Sequence, residues 1–262
     1  MTRIKEYFGT LTKYSYLLEN LISRDLKVKY RRSVLGILWS VLNPLLMMLI
    51  LNAVFSRVFR YEIANFPLYL ISGQLMFSFF SSATNEANFS IIGAGGLMRK
   101  VYIPKYLFPV EKMLFEFVNF LFSLSALVVM LIIFRIPFKF SMLLGFVPAF
   151  WLLIFSMGVG LILSAYCVFF RDLKHLYSVL ITAWMYMTPL FYPIEVLGEG
   201  FIHKIVMLNP LTWYILYFRT VVIYGELPTF EMNWICAAAA IVMLILGVLI
   251  FRKHQDKFIL YI

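Results

Sequence analysis

The chain has 262 residues, of which 63% are hydrophobic and 14% charged, with 27 Phe, 16 Tyr and 5 Trp. About a quarter of the residues in a soluble domain are charged, so this composition excludes an ordinary water-facing globule and points to a lipid bilayer. The net charge of +10 flanks the apolar runs, which argues for membrane topology and against nucleic-acid binding.

At the N-terminus, Tyr14, Leu17, Leu18, Leu21 and Ile22 recur at helical spacing, with Lys13, Glu19, Asn20 and Arg24 between them. This predicts an amphipathic helix at the membrane interface within residues 1–34. Its basic continuation, Lys27, Lys29, Arg31 and Arg32, suits anionic headgroups and also sets orientation. From Ser33 to Phe55 no ionisable residue appears. A cleaved signal peptide is not expected, because that run exceeds the usual apolar segment and no small-x-small site follows it.

Apolar runs of spanning length then fall at 35–55, 66–84, 107–134, 141–170, 176–191 and 234–251, all within one membrane domain of residues 35–262. Asn43-Pro44 lies inside the first, where proline removes a donor and kinks a helix. The stretch 194–223 is apolar in two short pieces, Phe201–Leu208 and 211–223, broken by Gly200 and Pro210. Neither piece makes a comfortable span, and Arg219 would be expensive inside one. The expected fold is therefore all-α: a polytopic membrane protein with six transmembrane helices, an N-terminal amphipathic interfacial helix and short re-entrant helices before the last span. With six spans, one side collects 17 of the 23 Lys and Arg, so both termini are expected in the cytoplasm.

The chemistry of sites is sparse. Cys167 and Cys236 lie in apolar runs, and the three histidines are far apart, so no metal site is expected. Gly93, Gly95 and Gly96 precede Arg99-Lys100, but neither the spacing nor the hydroxyl of a phosphate-binding P-loop is present. Glu111 and Glu116, five apart, do not share a helix face well, and pairing with lysines accounts for them better than a catalytic dyad. The central parts of the spans lack Asp and Glu, which argues against proton coupling. A transporter powered by a separate motor remains. Its alternatives are an exporter of another lipid or hydrophobic substrate, or a non-transporting membrane scaffold.

The segments "RDLKVKYRRSVLGILWSVLNPLL", "GGLMRKVYIPK", "FRDLKH", "MTPLFYPIEVL" and "LNPLTWYILYFRTVVIYGELP" resemble the ABC-2 type polysaccharide export permeases, a group that includes O-antigen, teichoic acid and capsule exporters. The resemblance runs along essentially the whole chain. It implies a homodimer in the bacterial plasma (inner) membrane, bound to two ATP-binding cassette subunits that hold the ATP and Mg; this chain itself carries no cofactor. The implied cargo is an undecaprenyl-linked or similar polysaccharide. The resemblance also implies motor-coupling contacts at Arg24, Arg31, Arg32, Glu86, Arg99 and Lys100, and a gate within residues 194–223. Small outer loops such as 56–65 distinguish this group from drug and lipid exporters with larger outer domains. Aromatic faces offer weak, repeated contacts to sliding sugar rings, which makes Tyr186, Phe191, Tyr192, Trp213, Tyr214 and Tyr217 the candidates for the polysaccharide channel or gate. An interfacial aromatic belt is the competing account.

Overall fold

The computed structural model describes residues 14–31, 33–58, 63 and 65–261. The expected contact at Arg32 lies outside the described residues. Helix α1 spans Ser15–Tyr30 and buries Leu18 and Leu21. A tight turn follows, in which Gly36 takes φ +48° and its N–H donates to Ser33 Oγ at 3.1 Å. A left-handed residue suits glycine, and it turns the chain directly into α2, Leu38–Val58.

Helix α3, Phe66–Gly93, is the centre of the molecule. It packs against α2, against α4 (Leu107–Ile133), against α5 (Phe146–Cys167) and against the 14-residue α6 (Leu173–Tyr186). Two short helices follow, α7 (Phe201–Leu208) and α8 (Pro210–Arg219), the latter running into a π turn at Thr220–Tyr224. The long α9, Phe230–His254, closes the fold against α5. There the backbones nearly touch: a Cβ on Gly158 would strike the Met243 backbone, and one on Gly247 would strike that of Gly158.

The expectation of six transmembrane helices is not met. Among the described residues, four helical stretches are long and apolar enough to cross a membrane: Leu38–Ser56, Leu107–Ile133, Phe140–Cys167 and Phe230–Tyr261. The expected second span lies in α3. That helix is long enough, but Gln74, its serines, Asn85, Glu86 and Asn88 make it too polar, and its apolar face is spent on neighbouring helices. The expected fifth span lies in α6, whose 14 residues rise only about 21 Å, short of a hydrocarbon core of about 30 Å. Helices α7 and α8 meet at an 80° bend and add at most a fifth crossing.

Both described ends of the chain lie at one end of the molecule. Leu21 and Arg24 of α1 face Gly93 and Phe108 across a hollow, and Phe108 also belongs to the cluster that holds Phe251 and Phe258 near the C-terminus. Lys105 Nζ donates to the Gln255 carbonyl at 2.6 Å, and Lys174 lies 4.9 Å above the Phe89 ring. Arg24, Lys105, Lys112 and Lys174, far apart in sequence, are thereby gathered at this end.

Candidate functional site

A polar cleft of about 240 Å³ is walled by α2, α3 and α4 and by the last residues of α1. Each wall supplies a stripe fixed by helical periodicity. On α3, Gln74, Ser78 and Ser82 are four apart; on α4, Glu116, Asn119 and Ser123 follow at three and four. On α2, Ser40 and Asn43 precede Pro44, which has no N–H to offer the Ser40 carbonyl and so leaves an acceptor in this wall. Lys29 and Tyr30 of α1 complete the lining.

Two buried side-chain atoms here, Gln74 Oε1 and Asn119 Nδ2, have no protein partner among the described residues. A buried polar atom left unpaired costs about 1–3 kcal/mol. The cleft is thus chemically suited to a ligand that brings its own hydrogen-bond donors and acceptors, such as a chain of hydroxyl-bearing rings. Composition and motifs did not single out this cleft. The four-residue spacing of Gln74, Ser78 and Ser82 was the available signal, but it was absorbed into an apolar span.

The α1 wall is pinned in place by charge. Asp25 accepts from Arg24 Nε at 2.8 Å and pairs with Lys112 of α4. Lys29 Nζ lies 3.4 Å from Glu116 Oε1, and Tyr30 donates to Asn119 Oδ1 at 3.1 Å. Burial disfavours the Asp25 carboxylate, but the hydrogen bonds and charges of Lys112 and Arg24 outweigh it and hold the carboxyl below its ordinary range. Burial, reinforced by the Glu116 charge, pushes the Tyr30 hydroxyl up and keeps it a donor. Glu111 and Glu116, weighed in the sequence as a dyad, each lie within ion-pair distance of a lysine, Lys112 and Lys29 respectively.

Of the motor-coupling candidates, Arg24 and Glu86 face the same hollow of about 270 Å³ beside Lys112 and Gly93. Arg31, Arg99 and Lys100 are exposed at this end. The aromatic candidates do not form one surface. Tyr186 is exposed; Tyr192 is half-buried and donates to the Tyr186 carbonyl at 3.2 Å. Phe191 is buried and stacks on Phe55 with centroids 5.1 Å apart. Trp213 donates to the Met207 carbonyl at 2.8 Å, and Tyr214 to the Cys236 carbonyl at 2.8 Å. Tyr214 and Tyr217 are packed inside the chain's own core.

The sequence matches the family described as ABC-2 type transporter over residues 16–223. It is 33% identical over 244 residues to a Klebsiella pneumoniae protein named O-antigen export system permease protein RfbA, covering 92% of this chain and 93% of the relative. A Myxococcus xanthus protein of the same name is 31% identical over 249 residues, covering 95% and 96%. The Escherichia coli polysialic acid transport protein KpsM is 23% identical over 244 residues, covering 91% and 93%. On this match, spanning most of its length and all of the cleft, the chain belongs to the ABC-2 type transporter family.

Proposed function

We propose that this chain is the permease subunit of an exporter that moves a lipid-linked polysaccharide from the cytoplasm across the bacterial plasma membrane. It works as a homodimer, driven by two separate ATP-binding cassette subunits. Family membership makes it the membrane component, with ATP hydrolysis on the partner chain. The observation that carries the cargo class is the polar cleft. A lipid tail or apolar drug in the cleft would leave Gln74 Oε1 and Asn119 Nδ2 unpaired, whereas a glycan can satisfy them.

The basic end faces the cytoplasm on this reading, since Lys and Arg accumulate on that side. Arg24, Arg31, Glu86, Arg99 and Lys100 are then presented to the motor. The mechanical link is α1: its start is exposed, while its end forms a wall of the cleft through Lys29 and Tyr30. A force on α1 is carried to α4 through Asp25–Lys112 and Lys29–Glu116, and through the Gly36 turn to α2. Tyr186 and Tyr192, the candidates that keep ring surface exposed, are the ones with a face to offer to a sliding glycan.

The test is the paired substitution Ser78→Leu with Ser82→Leu, two positions at the open side of α3. Membrane insertion and co-purification with the ATPase subunits should be normal. Surface polysaccharide should fall at least about tenfold and lipid-linked intermediates should accumulate inside the cell. Unchanged surface glycan would reject the cleft as the path.

A further inference from the structure

At the end of the molecule opposite α1, an apolar groove of about 280 Å³ lies between the last turns of α4, the turn Phe140–Gly145 and the π turn after α8. Phe218 and Val222 are buried in its floor, while Val128, Ile132 and Leu143 stand exposed on its walls. Ile136 and Phe138 also line it, and the residues interleaved with them are Arg135, Pro137 and Lys139.

Arg135 and Lys139 are exposed, and among the described residues neither joins an ion pair. Lys139 Nζ donates to the Tyr224 carbonyl at 3.4 Å, which leaves two ammonium N–H groups for other partners. Arg135 has φ +53° just past the end of α4, where its N–H donates to the Ile132 carbonyl and the Ile136 N–H to Leu131. That left-handed position is one that glycine fills with least strain. An arginine there satisfies the backbone less well than glycine would, so its guanidinium is the part that needs a reason. The helix dipole favours a cation at Arg135 but does not reach Lys139, six residues beyond Ile133. Arg135 and Lys139 flank in sequence the groove-lining Ile136 and Phe138, and two cations without an ion-pair partner among the described residues at that margin complement a ligand with an anionic head and an apolar tail.

We propose that this groove binds an anionic glycerophospholipid of the surrounding membrane, with one acyl chain along Val128, Ile132 and Leu143 and the phosphate between Arg135 and Lys139. The site is separate from the polar cleft, and it holds whatever the transported cargo is. The purified full-length chain, stripped of loose lipid, is melted with phosphatidylglycerol, phosphatidylcholine or polyprenyl phosphate added, and native mass spectrometry counts retained lipid. Phosphatidylglycerol should raise Tm by at least about 3 °C more than phosphatidylcholine. The double variant Arg135→Gly with Lys139→Gln should melt like the wild type without lipid, because glycine suits the backbone, and should lose that increment. Arg135→Lys should keep most of it. Leu143→Trp, which fills the groove and leaves both cations, should cut phosphatidylglycerol retention several-fold. An equal response to phosphatidylglycerol and phosphatidylcholine, or an undiminished increment in the double variant, would overturn the site. So would polyprenyl phosphate stabilising the chain where phosphatidylglycerol does not.

Discussion

Arg219 shows how a single residue can be both forbidden and required. Its guanidinium is almost fully buried at 1% exposure, with no carboxylate in ion-pair contact among the described residues. It instead donates to the carbonyls of Pro189 at 2.8 Å, Tyr69 at 3.0 Å and Leu190 at 3.2 Å, and lies 3.4 Å from the Tyr69 ring centroid. Gly73 leaves room for it, since a Cβ there would meet Nη2 at 2.5 Å. The planar fork thus ties α8 to α3 and to the 189–190 turn, a pattern that the single point charge of lysine cannot reproduce. Arg219→Lys should destabilise the detergent-solubilised protein by at least about 2 kcal/mol, and a melting curve matching the wild type would contradict that role. Asp25 supplies a pH dependence. Its folded carboxyl titrates below the unfolded value of 3.8, so its contribution is complete above that value and is lost as pH falls through the lower folded one. Asp25→Asn should remove that acid-side loss of α1 docking, measured by hydrogen exchange across Ser15–Tyr30. An unchanged acid profile in the variant would assign the loss to other groups.

The elements are joined by small residues and caps rather than by long apolar ridges alone. Helices α5 and α9 meet backbone to backbone at Gly158 and Gly247, the close approach that small residues allow between membrane helices. Gly158→Leu should force the two apart and abolish a stable fold, while Val159→Leu, one position along and largely buried, should be tolerated at a cost of about 1–3 kcal/mol. Equal expression and melting of the two variants would remove the crossing as a determinant. The 80° bend between α7 and α8 has its own lock. Asn209 caps α8 through Leu211 N at 3.1 Å, accepts from Trp184 Nε1 at 2.8 Å and donates to Thr188 Oγ1 at 2.9 Å. Asn209→Ala should cost about 2 kcal/mol or more, combining a lost cap with stranded partners. Asn209→Asp should recover the cap and the Trp184 bond but not the bond to Thr188, and the order of the three melting points checks the assignment.

At the scale of the whole molecule, the basic end, the polar cleft and the bent α7–α8 pair form a sequence from one pole to the other. Tyr69 at the start of α3 donates to the Tyr192 carbonyl at 2.9 Å, so the 189–200 stretch lies at the opposite pole from Gly93 and Lys100. Cysteine labelling of Lys100→Cys and Glu199→Cys, in a background lacking Cys167 and Cys236, should find them on opposite sides, with Lys100→Cys reached from the cytoplasm. Labelling of both from one side would reverse this order. The α1 lever is checked by charge exchange. Asp25→Lys and Lys112→Asp should each weaken coupling between ATP hydrolysis and export, and the double variant should recover it. Failure of the double variant to recover would remove that ion pair from the linkage.

The sequence by itself determined the solvent, the helical class and the family. Charge exclusion over Ser33–Phe55, the basic flanks and the broken apolar stretch at Pro210 are local properties, each legible within a few turns of chain. It also placed the start of α4 at Leu107, because the apolar run begins there. Only the tertiary structure decided how many helices qualify as spans. Helix α3 is apolar enough to look like one over a short window, yet its packing on five neighbours lets it carry Gln74, Ser78 and Ser82 toward a shared cleft. The same holds for the aromatics: Tyr186 and Tyr214 have similar surroundings in sequence, but one is exposed and the other is walled in by α5 and α9. Periodicity says which residues share a face; which neighbour that face meets depends on contacts between residues far apart in the chain.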